Sequence, residues 1–200
     1  DFFSLTNANL KLGQTFKLAA NSRQQLVLRI HPPKTAPEGD YYSTFLVEQS
    51  PEGQFLGQTG SPTLVKIGSN ILLTISQSGQ PNKEAVIAQF SAQPRIADLF
   101  SPVKFSLLVQ NVGQAYFKPQ GKIEIYLQPG KRKVAELELR PDNILVGSAR
   151  EIICQNGPCS FSSWRPGHYQ AVVSLSPHGE GAKVEAISRF WLLPIKPLLA

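Results

Sequence analysis

Apolar and polar residues alternate with a period of two through much of the second half of the chain. Val103, Phe105, Leu107 and Val109 fall on one face of a stretch ending at Asn111, and Ile123, Ile125 and Leu127 on one face of Lys122 to Leu127. Val134, Leu137 and Leu139 repeat the pattern with a shift. A period of two is that of a strand with one buried face. Further strands are predicted over Ala85 to Ala92, Ser148 to Cys154, His168 to Leu175 and Lys183 to Leu192, which brings the set to the seven of a β-sandwich.

The first half predicts fewer strands: Gln25 to Ile30 before the Pro32-Pro33 break, Tyr42 to Glu48, and Thr63 to Ser76. Pro166-Gly167-His168-Tyr169 stands at the start of the sixth strand of the second half and reads as a tyrosine corner, in which a tyrosine hydroxyl bonds back to the chain just before it. Pro37-Glu38-Gly39-Asp40-Tyr41 is its counterpart in the first half. The polar, turn-rich stretch Gln77 to Lys83 predicts a domain boundary. The expected fold is therefore all-β, with two tandem immunoglobulin-like β-sandwiches: a partial one over residues 1–78 and a seven-stranded one over residues 84–194. Too few strands precede Tyr41, so the first domain is expected to be N-terminally incomplete. If it is not, its open edge would invite β-strand addition by a partner.

Composition supports this class. Sixteen Pro and fifteen Gly punctuate short apolar stretches, and 42% of the 200 residues are hydrophobic. The chain starts at Asp1 and has no Met, which reads as a mature form or an excised fragment. No apolar run approaches the roughly 20 residues that span a bilayer. Twenty Lys and Arg against fourteen Asp and Glu give a net charge of +6, which favours polyanionic surroundings. The one dense basic run, Lys131-Arg132-Lys133, follows Pro129-Gly130 and reads as a solvated hairpin tip.

Cys154 and Cys159 flank Gln155-Asn156-Gly157-Pro158, whose turn chemistry can bring the two Cα atoms within bridging distance, so a local disulfide is expected. It implies an oxidising, extracytoplasmic compartment. The alternative of a redox or metal pair lacks the short redox spacing and a second ligand pair.

Nothing in the pattern predicts catalysis, a cofactor or a metal. His31, His168 and His178 lie among turn or strand-end residues, with His178 in a hairpin turn over residues 177–181, and structural or solvent-exposed roles are expected for all three. Glu136 and Glu138 lack the context of a glycosidase pair, and no nucleophile elbow or phosphate-cradling glycine loop occurs. Aromatic side chains are the better binding candidates. Tyr116, Phe117 and Trp164, placed between strands, are singled out, with core packing the alternative for each; Phe2, Phe3, Tyr42 and Phe55 stand behind them, and Tyr41, Phe45 and Trp191 are expected in the core. Basic and aromatic residues do not interleave on one sheet face, so nucleic acid is not expected as a partner.

Gln24 to Tyr42 and Val65 to Ile75 resemble the late strands of the first domain of WxL-interacting-type bacterial surface proteins. Leu108-Val109-Gln110-Asn111-Val112-Gly113 is similar to the "N-x-G" strand end of the sandwich that follows in that family, and Phe190 to Lys196 to the segment leading into a membrane anchor. The resemblance implies a non-enzymatic bacterial cell-surface protein, tethered to the membrane only through an anchor beyond residue 200, that binds a cell-wall polymer or another envelope protein. The alternatives are a pilus-type periplasmic chaperone and a structural spacer without a dedicated ligand.

Overall fold

The computed structural model describes residues 2–7, 9–19, 21–49, 65–179 and 183–195, and among these it is all-β, with no helix. The chain forms two compact units, Asp1–Glu38 and Gly39–Ala200.

In the first unit, β1 (Phe3–Leu5) and β2 (Leu28–Ile30) pair antiparallel. Asn7 extends this short ribbon: its Nδ2 donates to the carbonyl of Gln25 at 2.8 Å and its Oδ1 accepts the amide of Val27 at 2.6 Å. A side-chain amide thus replaces a strand pair where Asn, a poor strand former, ends the ladder.

The second unit begins with β3 (Gly39–Gln49) and β4 (Val65–Ile75), an antiparallel ribbon paired along its full length. The division between the two units falls between Glu38 and Gly39, ahead of this ribbon. Polar contacts centred on Asp40 and Tyr42 tie the ribbon together and to segments beyond it. The Asp40 carboxylate accepts the backbone amide of Tyr116, the Thr74 hydroxyl at 2.6 Å and the Tyr42 hydroxyl at 2.8 Å. The Tyr42 oxygen in turn accepts the amide of Val146 at 3.2 Å.

The remaining strands are β5 (Ala85–Gln93), β6 (Ile96–Asp98), β7 (Val103–Asn111), β8 (Gln120–Gln128), β9 (Arg132–Glu138), β10 (Ala149–Glu151), β11 (Ser160–Phe161), β12 (Gly167–Ser176) and β13 (Val184–Leu193). One sheet has β7 at its centre, with β5 along one edge and β10 and β11 along the other. The second sheet runs β6-β13-β12-β8-β9, with β6 parallel to β13 and the other pairs antiparallel. The first strand of the sandwich is thus shared between the sheets, switching from β5 to β6. The strand expected over Ser148 to Cys154 is shorter than predicted, because the edge it occupies is interrupted by the disulfide loop before resuming as β11.

The two sheets enclose one core. Val103, Phe105, Leu107 and Val109 of β7 face Ile123 and Ile125 of β8, Tyr169, Ala171, Val173 and Leu175 of β12, and Phe190 and Leu192 of β13, all buried. Ring contacts cross between the sheets: Phe105 meets Phe190 edge-on at 5.8 Å and Phe161 meets Tyr169 at 5.5 Å. Each such fully buried side chain contributes roughly 1.5–3 kcal/mol by leaving water. Hydrogen bonds join the sheets on both sides, from the Ala92 amide to Ser188 Oγ at 2.9 Å and from the Arg140 amide to the Ile153 carbonyl at 2.8 Å.

The Asn111-Val112-Gly113 strand end is a buried polar clamp. Asn111 is fully buried; its Nδ2 donates to the carbonyls of Ala115 and Ile144 at 3.0 Å each, and its Oδ1 accepts the Gly113 amide at 2.9 Å. A Cβ at position 113 would lie 2.5 Å from the backbone nitrogen of Glu84, so only glycine lets the two chain segments approach this closely.

Candidate functional site

Alternation decides which side chains the five-stranded sheet turns outward. Along β13, Phe190 and Leu192 point into the core, which leaves Glu185, Ile187, Arg189 and Trp191 exposed on the opposite face. The expectation that Trp191 belongs to the core is therefore corrected: it is 46% exposed. Its neighbours in Phe190-Trp191-Leu192 are the inward residues, and a strand cannot bury three in a row on one side.

Register assembles the surface around Trp191. Across the sheet it stands beside Ile96 of β6 and His168 of β12, and His168 stands beside Gln128 of β8. The next row is Arg189, Gln170, Tyr126 and Lys133. The His168 and Trp191 rings stack with centroids 4.7 Å apart and an interplanar angle of 25°. Gln128 Nε2 and Gln170 Oε1 are 3.5 Å apart. The result is an open sheet face with an aromatic platform flanked by amide and guanidinium donors.

Toward β9 the same face becomes an ion network. Glu124 lies between Lys133, at 2.8 Å, and Lys122, at 3.2 Å, and Glu136 contacts both lysines. The hydrogen bond from Lys133, followed by that from the Tyr126 hydroxyl at 3.0 Å, holds the Glu124 carboxyl down at about 2. Hydrogen bonds to Glu124 and then Glu136 raise the Lys133 ammonium above its usual range. Lys131, Arg132 and Lys133 of the expected solvated tip are all exposed, and Lys133 is also ion-paired.

Of the loop aromatics singled out from sequence, Phe117 takes the core alternative: it is 1% exposed and its backbone pairs with Ile144. Tyr116 is half-buried, with its amide on Asp40. Trp164 is 62% exposed, and the Arg165 guanidinium lies 4.9 Å above its ring. Tyr41 and Phe45 are half-buried in β3. Phe55 lies outside the described residues, as do Glu180 and Gly181 of the expected hairpin turn.

The Tyr169 hydroxyl donates to the carbonyl of Arg165 at 2.8 Å, the backward bond that defines a tyrosine corner. Cys154 and Cys159 form a disulfide, with Cα atoms 4.9 Å apart. His31 and His178 are exposed. Among the described residues no three His, Cys, Asp or Glu side chains group as a metal set, and no helix is long and apolar enough to cross a membrane.

No known family and no curated protein matches the chain. Solved structures with partial likeness include the Pseudomonas fluorescens alkylpurine DNA glycosylase AlkC bound to DNA containing an abasic site analog, at 15% identity and a TM-score of 0.44, covering 55% of this chain and 30% of that one. The CARDB domain of the PF1109 protein from Pyrococcus furiosus, in complex with di-metal ions, is 8% identical with a TM-score of 0.37, covering 56% of this chain and 90% of that one. The β-glucosidase EmGH1 from Erythrobacter marinus is 13% identical with a TM-score of 0.39, over 56% of this chain and 16% of that one. The chain spans less than a third of the length of the glycosylase and of the glucosidase. Likenesses at this level carry no functional argument.

Proposed function

We propose that the protein is a non-enzymatic, extracytoplasmic binding module of the bacterial cell surface, and that the open face of its five-stranded sheet takes a cell-wall polymer. The observation that carries this reading is the half-exposed Trp191 ring stacked on His168 on the outward face of the sheet. Sugar rings present C–H faces that pack on such a platform, and their hydroxyls match the donors and acceptors of Gln128, Gln170 and Arg189. A disulfide accords with an oxidising compartment. The sandwich is read as immunoglobulin-like.

Cosedimentation with insoluble bacterial cell wall at low and high salt tests the proposal, with an unrelated protein of equal charge as control. Binding that survives salt and is lost in Trp191→Ala supports it; no binding above the control, or equal binding by the variant, overturns it.

The second reading, an envelope protein as ligand, is favoured by the β3–β4 ribbon. Among the described residues the two strands pair only with each other, and Leu46 and Ile67 are 56% and 69% exposed. Both outer edges of such a ribbon could accept an added strand.

A further inference from the structure

The sandwich has two unlike ends. The Asn111 clamp and the Asp40 contacts occupy one. The opposite end is built by three connections: Leu99 to Pro102 between β6 and β7, Pro129 to Lys131 between β8 and β9, and Ser162 to Pro166 before β12. Register brings them together, since Gln128 pairs with His168, Trp191 with Ile96, and Lys104 with both Gln93 and Ser160. The Phe100 amide also donates to the Ser163 carbonyl at 3.2 Å, which ties the first connection to the third.

Phe100 is the anomaly at this end. It sits in a turn closed by the Ser101 amide on the Asp98 carbonyl at 3.1 Å, with φ at 66°, a left-handed conformation that glycine adopts freely and a bulky side chain rarely does. The ring is nevertheless 73% exposed. Neither local conformation nor core packing accounts for a phenylalanine here, and residues held in such conformations cluster where a surface has work to do. Trp164, 62% exposed, is in the connection to which Phe100 is tied.

Charge complements these rings. Arg95, Lys104, Lys131, Arg132 and Arg165 belong to this end, where Asp98 is the sole carboxylate in segments 93–104, 127–133 and 158–170. Asp98 is engaged, accepting the Ile195 amide at 2.8 Å. Exposed rings sharing one end of the fold with long basic side chains match an anionic bilayer surface, where aromatic residues settle at headgroup level and Lys and Arg meet the phosphates. We infer that this end of the sandwich docks on an anionic lipid surface, with Phe100 and Trp164 entering the headgroup layer and the basic residues around them pairing with lipid phosphates. This does not rest on polymer binding at Trp191.

Flotation of the protein with phosphatidylcholine vesicles, with and without about 30% phosphatidylglycerol, tests the inference. The expected result is binding to the anionic vesicles only, weakened by salt and reduced about tenfold or more in the Phe100→Ser, Trp164→Ser double variant. In a Trp191→Phe background, Trp164 emission should shift to the blue on binding. Lys131→Gln with Arg132→Gln should weaken binding while leaving that blue shift in the bound fraction. Circular dichroism checks that each variant is folded. Absence of binding, or undiminished binding by the aromatic double variant, overturns the inference. So does retention on soluble polyphosphate that equals vesicle binding and is indifferent to Phe100 and Trp164, since that is polyanion attraction alone.

Discussion

The backbone amide of Tyr116 donates to the carboxylate of Asp40 across 76 positions of sequence. This bond and that of the Val146 amide to the Tyr42 oxygen tie the β3–β4 ribbon to later segments of the same unit. Asp40→Ala should remove the shared acceptor and lower the unfolding free energy by about 1–3 kcal/mol. Hydrogen exchange at the Tyr116 amide checks it directly: protection unchanged in the variant would show that the bond does not hold the ribbon.

Tyr169 is fully buried, stacked on Phe190 at 5.3 Å, with its hydroxyl on the Arg165 carbonyl. Tyr169→Phe keeps the ring and removes the bond, so stability should fall by about 1 kcal/mol, read from denaturant melts with an unchanged slope. An identical midpoint would mean that water serves the Arg165 carbonyl equally well.

Glu124 predicts the acid limb of the stability profile. Its carboxyl titrates near 4.5 when unperturbed and at about 2 in the folded protein. The unfolded chain therefore binds the proton first, and the stabilisation is present above about 4.5 and lost as pH falls toward 2. Glu124→Gln should flatten stability against pH in that window while leaving the slope near neutrality unchanged. Urea melts at stepped pH make the comparison, and parallel wild-type and variant curves would remove Glu124 from the account.

The Cys154–Cys159 bridge closes a small loop on a sheet edge, where the Phe105 amide donates to the Cys159 carbonyl at 2.8 Å. Cys154→Ser with Cys159→Ser should cost about 2 kcal/mol in the chain-entropy picture, without loss of the sandwich. Alkylation of the unreduced protein followed by intact mass should find no free thiol.

Much of this fold was legible because strand periodicity and burial are the same fact seen twice. The alternation at Val103, Phe105, Leu107 and Val109 named core residues because β7 is central and packed on one face. The binding candidates were less legible. Phe117 reads as a loop residue, yet its backbone pairs with Ile144, which is distant in sequence, and that pairing buries the ring. Trp191 lies in an apolar run in which three residues compete for one inward face, and only the one-residue phase set by Phe190 against Tyr169 sends the tryptophan outward. The signal that could have found it was the alternating pattern of β13 itself, with Glu185, Ile187 and Arg189 on the same side.

Local chemistry in the sequence determined the all-β class, the inward faces of the long strands, the bridging cysteines and the corner at Tyr169, because each depends on residues a few positions apart. Tertiary structure alone decided that the β3–β4 ribbon joins the sandwich, that Phe117 is core, and that Phe100 and Trp164 share one basic end. Those outcomes depend on hydrogen bonds and register between segments tens of residues apart, which local pattern does not encode.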